Sequence, residues 1–130
     1  MVDVTNEIMS YVKTAVGSTV DVLSEYPSST PKFPCVVFNE FSNVSHTETI
    51  DSSGEKYSDV SLQIDIFSNT QDKISVVKDL RNKIDTVLAG TYRMTRAFSG
   101  TTPNYADTNI YRYTLRYNFL VDNTKKIYRR

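Results

Sequence analysis

The clearest regularity along the chain lies at residues 60–67, where Val60, Leu62, Ile64 and Ile66 alternate with Ser61, Gln63, Asp65 and Phe67. A period of two places the aliphatic side chains on one face of a strand. A second alternation, over about 109–121, puts Tyr111, Tyr113, Leu115, Tyr117, Phe119 and Val121 on one face and Arg112, Thr114, Arg116 and Asn118 on the other. Helical spacing occurs twice. In the segment 3–16, Val4, Ile8, Tyr11, Val12 and Ala15 form an apolar stripe, with Asp3 placed to cap it and Gly17 to stop it. Over about 69–89, Ile74, Val77, Leu80, Ile84, Val87 and Leu88 form a second stripe. Ser68 and Gln71 have the spacing of a capping box, Asp79 precedes Lys83 by one turn, and Gly90 stands at the expected C′ position.

Between these segments the pattern predicts shorter strands. Val20 and Val22 mark one, followed by a stiff run holding Pro27, Pro31 and Pro34. Cys35 to His46 reads as a strand with apolar Val36, Val37, Phe38 and Phe41 and a polar second half. The turn residues Asp51-Ser52-Ser53-Gly54-Glu55 then make a long hairpin with the strand that follows, and a further strand is expected at about 91–98. The predicted order is α-β-β-β-α-β-β, an α+β domain with a mainly antiparallel sheet and two helices packed on it. Residues 1–130 read as a single domain with a basic tail at about 122–130. The polar hairpin at 43–58 cannot bury itself in a monomer, so it is expected to become ordered in an assembly.

Charge changes this picture more than composition does. The chain has no net charge, yet residues 1–90 carry seven Lys/Arg and thirteen Asp/Glu, whereas residues 91–130 carry eight Lys/Arg and two Asp. Such segregation suits a head-to-tail contact between copies, a basic surface facing an acidic one, or mutual neutralisation of the two ends within one molecule. The nine tyrosines and six phenylalanines favour interfaces, because these rings bury a large flat area. The single cysteine, Cys35, excludes an internal disulfide and reads as a buried strand thiol. The N-terminal run lacks the signature of a signal peptide, and no stretch is apolar enough to span a membrane, so folding in a reducing cytoplasm is expected.

The residues that carry chemistry are few. His46 is the only histidine and cannot assemble a transition-metal site without partners. The four glycines sit at stops or turns, leaving no phosphate-cradling motif. No catalytic residue, metal site or cofactor is expected, and an enzyme is not indicated. One constellation has functional character: the Tyr/Arg strand 111–117 could serve a small nucleic-acid-binding or regulatory module, its rings stacking on bases. Alternation gives a plainer account, with tyrosines inward and arginines outward.

The linear order also carries a resemblance. A short N-terminal helix leads through Lys32-Phe33-Pro34 to the strand Cys35-Val36-Val37-Phe38. The return strand Val60–Phe67 is followed at once by a helix, and the chain closes on Tyr111–Tyr117 and the tail Lys125–Arg130. This order resembles the tail terminator (tail completion) proteins of long-tailed phages and tail-like particles. The resemblance implies a structural virion protein, assembled in the bacterial host cytoplasm. It would form a ring, usually a hexamer, at the tail–head junction, capping the head-proximal end of the tail tube and ending its polymerisation. Its implied partners are further copies of itself, the tail tube protein and a head–tail connector or neck protein, with phage DNA passing through the lumen without specific binding. On this reading His46, Glu48, Asp51 and Glu55 of the hairpin and Lys125, Lys126, Tyr128, Arg129 and Arg130 of the tail are expected at subunit interfaces.

Overall fold

The computed structural model describes residues 4–17, 20–24, 33–45, 57–69, 73–102, 110–122 and 124–129, the side chains of Phe41, Val44, Ser45 and Arg129 excepted. Its elements are α1 (Thr5–Val16), β1 (Asp21–Leu23), β2 (Cys35–Ser45), β3 (Tyr57–Ser68), α2 (Lys73–Asp85) with a π-helical turn (Thr86–Thr91), β4 (Thr95–Thr101), β5 (Tyr111–Asp122) and β6 (Ile127–Arg129). The predicted α+β order is present, with one addition: part of the basic tail forms the short sixth strand. The sheet runs β1-β2-β3-β5-β4, with β6 pairing with β5 beside the end of β4. The β1–β2 pair is parallel and every other pairing is antiparallel.

Both helices lie on one face of the sheet. Val60, Leu62, Ile64 and Ile66 of β3 and Tyr113, Leu115, Tyr117, Phe119 and Val121 of β5 turn toward them, as alternation requires, and are buried. From β2, Val36 and Phe38 join the same core. The antiparallel register sets Leu62 opposite Tyr117 and Ile64 opposite Leu115, so large side chains form cross-strand pairs beneath α2.

The helix stripes are rotated from those expected. In α2 the buried positions are Val77, Leu80 and Ile84, continued by Val87 and Leu88 in the π turn, while Ile74 is half exposed. At 3.6 residues per turn Ile74 sits about 90° from the middle of the Val77/Leu80/Ile84 stripe, too far round to reach the sheet. In α1 the buried side chains are Ile8, Met9, Val12 and Val16, joined by Val4 just before the helix, and Tyr11 and Ala15 face outward. Gly17 ends α1 with φ +91°, and its N–H bonds the Lys13 carbonyl. The expected cap Asp3 and the Gln71 half of the capping box lie outside the described residues; Ser68 is the last residue of β3.

Gly90 falls inside the π turn, and Arg93 (φ +57°) takes the left-handed position before β4. The π turn runs to Thr91 and the bend after it takes up residues 92–94, which is why the strand expected at 91–98 starts at Thr95. A partly buried polar contact ties this junction to the sheet. The Tyr117 hydroxyl donates to Asp85 Oδ1 at 2.7 Å, and Asp85 Oδ2 meets Arg96 of β4 at 3.0 Å. Burial, followed by the bond to Asp85 and its charge, pushes the Tyr117 phenol well above its ordinary pKa, so it remains a donor.

Candidate functional site

The sheet face opposite the helices is covered by no described element, and it is polar across three strands. On β3, Asp65 accepts from Arg112 Nε (3.1 Å) and Thr114 Oγ1 (2.6 Å) of β5 and from its neighbour Gln63 (3.1 Å). Gln63 Oε1 in turn accepts from Arg116 Nε at 3.0 Å. Ser61 donates to Asn118 at 2.7 Å, and Thr114 shares a 2.6 Å hydrogen bond with Thr102 beyond β4. These groups stand in register because alternate β3 and β5 side chains share a face. Asp65 is buried, and three donors, one of them the Arg112 cation, offset the cost of burying its charge.

Apolar groups flank this belt. Cys35, Val37 and Phe67 form a second small core with Phe33 and Ile110, and the Arg112 guanidinium lies 5.6 Å from the centre of the Phe67 ring. The Cys35 thiol is pushed up to about 11 by burial and then by the Asp21 charge, so it stays protonated and unreactive. At the other side, a bulge between Arg96 and Phe98 turns Phe98 onto the uncovered face opposite Arg116. Its ring, 46% exposed, lies over Gly100, where an added Cβ would come within 3.2 Å of it. Phe98, Thr102, Gln63, Arg112, Thr114 and Arg116 together line a hollow of about 210 Å³.

The basic tail is folded onto its own molecule. Asp122 organises it: Oδ1 accepts from Thr124 N (2.9 Å), Thr124 Oγ1 (2.6 Å) and Lys126 N (2.9 Å), and Oδ2 accepts from the Tyr128 hydroxyl (3.0 Å). These bonds, that of the Thr124 side chain foremost and that of the Lys126 backbone next, hold the Asp122 carboxyl down at about 2. Lys125, at φ +67°, reaches Glu7 of α1 at 2.8 Å, and Lys126 Nζ lies 5.3 Å from the Tyr128 ring centre. Tyr128 packs edge-on against Tyr57, and the Arg129 backbone sits opposite Phe119. Lys125, Lys126 and Tyr128 thus come together, and with Arg93, Tyr92 and Ile127 they line a cleft of about 450 Å³.

His46, Glu48, Asp51, Glu55 and Arg130 lie outside the described residues. The hairpin nevertheless springs from the same end of the sheet as the tail, since Ser45 pairs with Ser58 and Tyr57 with Asp122. The charge segregation is met partly within one molecule: Asp85–Arg96, Asp65–Arg112 and Glu7–Lys125 each join the acidic and basic portions.

The nucleic-acid reading of strand 111–117 loses its aromatic half. Tyr113 and Tyr117 are buried on the helix side, while Arg112 and Arg116 lie on the opposite face. Sequence reasoning missed Arg93 and Tyr92, which only the π turn brings to the tail, and Phe98, which only the bulge turns to the uncovered face. Among the described residues no group of three His, Cys, Asp or Glu could hold a metal ion. No described helix is long and apolar enough to cross a membrane.

This arrangement of strands and helices recurs in a solved particle. A chain of the virion of a native gene transfer agent (GTA) particle superposes with a TM-score of 0.60 at 12% identity, over 82% of this chain and 81% of that one. The two share a fold. No protein-family model and no curated protein matches the sequence. At that identity the likeness concerns the path of the chain and carries no residue role across.

Proposed function

We propose that this chain is a non-catalytic structural subunit of a phage-like particle, of the tail terminator kind. Copies of it form a ring, probed first as a hexamer, at the head-proximal end of the tail tube. The ring ends tube polymerisation and offers the surface on which a connector or neck protein docks. The carrying observation is the fold shared with a gene transfer agent virion chain over four-fifths of both molecules. The uncovered sheet face and the tail cleft agree with it, since both present arginines and aromatic rings, the residue types that interfaces concentrate. On this reading the hairpin residues His46, Glu48, Asp51 and Glu55 and the tail residues Lys125, Lys126, Tyr128, Arg129 and Arg130 meet neighbouring subunits, and DNA crosses the lumen without specific contact.

The test is native mass spectrometry and electron microscopy of the purified protein, with and without tail tubes, together with tail lengths in particles assembled without it. Closed rings, or caps on tube ends, and overlong tails in its absence are expected. A monomer at every concentration that leaves tubes uncapped, with tails of normal length in its absence, would overturn the proposal.

A further inference from the structure

The sheet has two lateral edges, and both contain backbone that no described strand pairs. On one side β1 covers only Cys35–Val37 of β2, leaving the outer edge of Phe38–Ser45. On the other side lies the seven-residue β4, which pairs with a described strand only along its inner edge. The N–H of Thr102 donates inward to the Arg112 carbonyl. Backbone direction alternates along a strand, so the N–H and C=O groups of Ser99 and Thr101 point outward. An outward row of this kind is a template for another strand.

We infer that the outer edge of β4 in one copy pairs with the outer edge of β2 in the next, so that the sheet continues from subunit to subunit around the ring. This inference rests on the ring reading above. The occupant is a second copy because the two edges complement one another. β4 runs antiparallel to β5 and β2 antiparallel to β3, so β4 of one copy beside β2 of another extends the same antiparallel alternation. The two edges are different surfaces, which makes the contact heterologous, the kind that closes into a ring when the rotation permits.

Each edge strand also carries a bulge, between Glu40 and Ser42 in β2 and between Arg96 and Phe98 in β4. A bulge sharpens local twist and bends a strand. A flat sheet cannot follow a closed ring, so curvature placed at the joining strands suits this role. The regular stretches left for pairing are Phe98–Thr101 and Ser42–Ser45.

Covalent trapping tests the inference without disturbing the core. Ser42 of β2 and Phe98 and Gly100 of β4 all stand on the uncovered face, by their registers with Ser61, Arg116 and Thr114. Full-length Ser42→Cys/Gly100→Cys and Ser42→Cys/Phe98→Cys variants are treated with mild oxidant and with a short bismaleimide, and each single-cysteine variant serves as control. Cys35 is fully buried and can remain. At least one double variant is expected to give a ladder of covalent multimers ending at the ring size, while single variants stop at dimers. Rings seen by native mass spectrometry with no ladder from either pair would overturn the edge contact and leave the ring reading standing. No multimers at any concentration, in wild type or variants, would overturn both.

Discussion

Two isoleucines on α2 provide a controlled test of how that helix is seated. Ile84 is 0% exposed, in contact with the core, whereas Ile74, on the same helix, is 51% exposed. Substituting each by alanine removes the same atoms and makes the same change in helix propensity, so burial is the main difference. Ile84→Ala opens a cavity beneath β3 and β5 and should cost about 2–5 kcal/mol. Ile74→Ala forfeits little apolar contact and gains about 0.4 kcal/mol of helix propensity, so it should lie within about 0.5 kcal/mol of wild type. For a domain of this size each kcal/mol moves the midpoint of melting by roughly 4 °C. The expected separation between the variants is therefore on the order of 8–20 °C, well beyond calorimetric error. Urea unfolding at fixed protein concentration checks the free energies and, through an unchanged slope, that both variants unfold from a comparable state. Equal losses from the two substitutions, or a neutral Ile84→Ala, would refute the facing of α2.

Tyr117→Phe removes a buried hydroxyl donor from Asp85 and should lower stability by about 1–3 kcal/mol; Tyr111→Phe, whose hydroxyl contacts exposed Thr101, should be close to neutral in the same denaturation assay. Asp65→Ala leaves Arg112, Thr114 and Gln63 without their common acceptor and should also cost about 1–3 kcal/mol, with Asp65→Asn recovering part of it. The tail should loosen only in strong acid. Because Asp122 has its pKa lowered from 3.8 to about 2 by folding, its contribution is fully present above pH 3.8 and is lost as pH falls through about 2. Amide shifts of Thr124 and Lys126 followed by NMR should show that midpoint, and a midpoint at the ordinary carboxylate value would rule out the Asp122 clamp.

What the sequence determined by itself was whatever depends on local periodicity. Alternation in β3 and β5 fixes which side chains face the core, because neighbouring residues of a strand must point to opposite sides. The existence of both helices followed from their apolar stripes, as did the α+β class and the reading of Cys35 as a buried thiol. Tertiary structure decided the remainder. Which side of each helix meets the sheet depends on the docking angle, and this turned Ile74, Tyr11 and Ala15 outward and drew Met9 and Val16 in. The π turn inserts extra residues that no apolar pattern announces, carrying Arg93 and Tyr92 to the tail. The bulge in β4 moves Phe98 to the face opposite its neighbours, a shift that alternation alone cannot encode. The basic tail, polar and short, has no strand signal of its own; it becomes β6 because Asp122 gathers its amides and β5 offers an open edge. Long-range pairing of this kind depends on groups distant in sequence meeting in space.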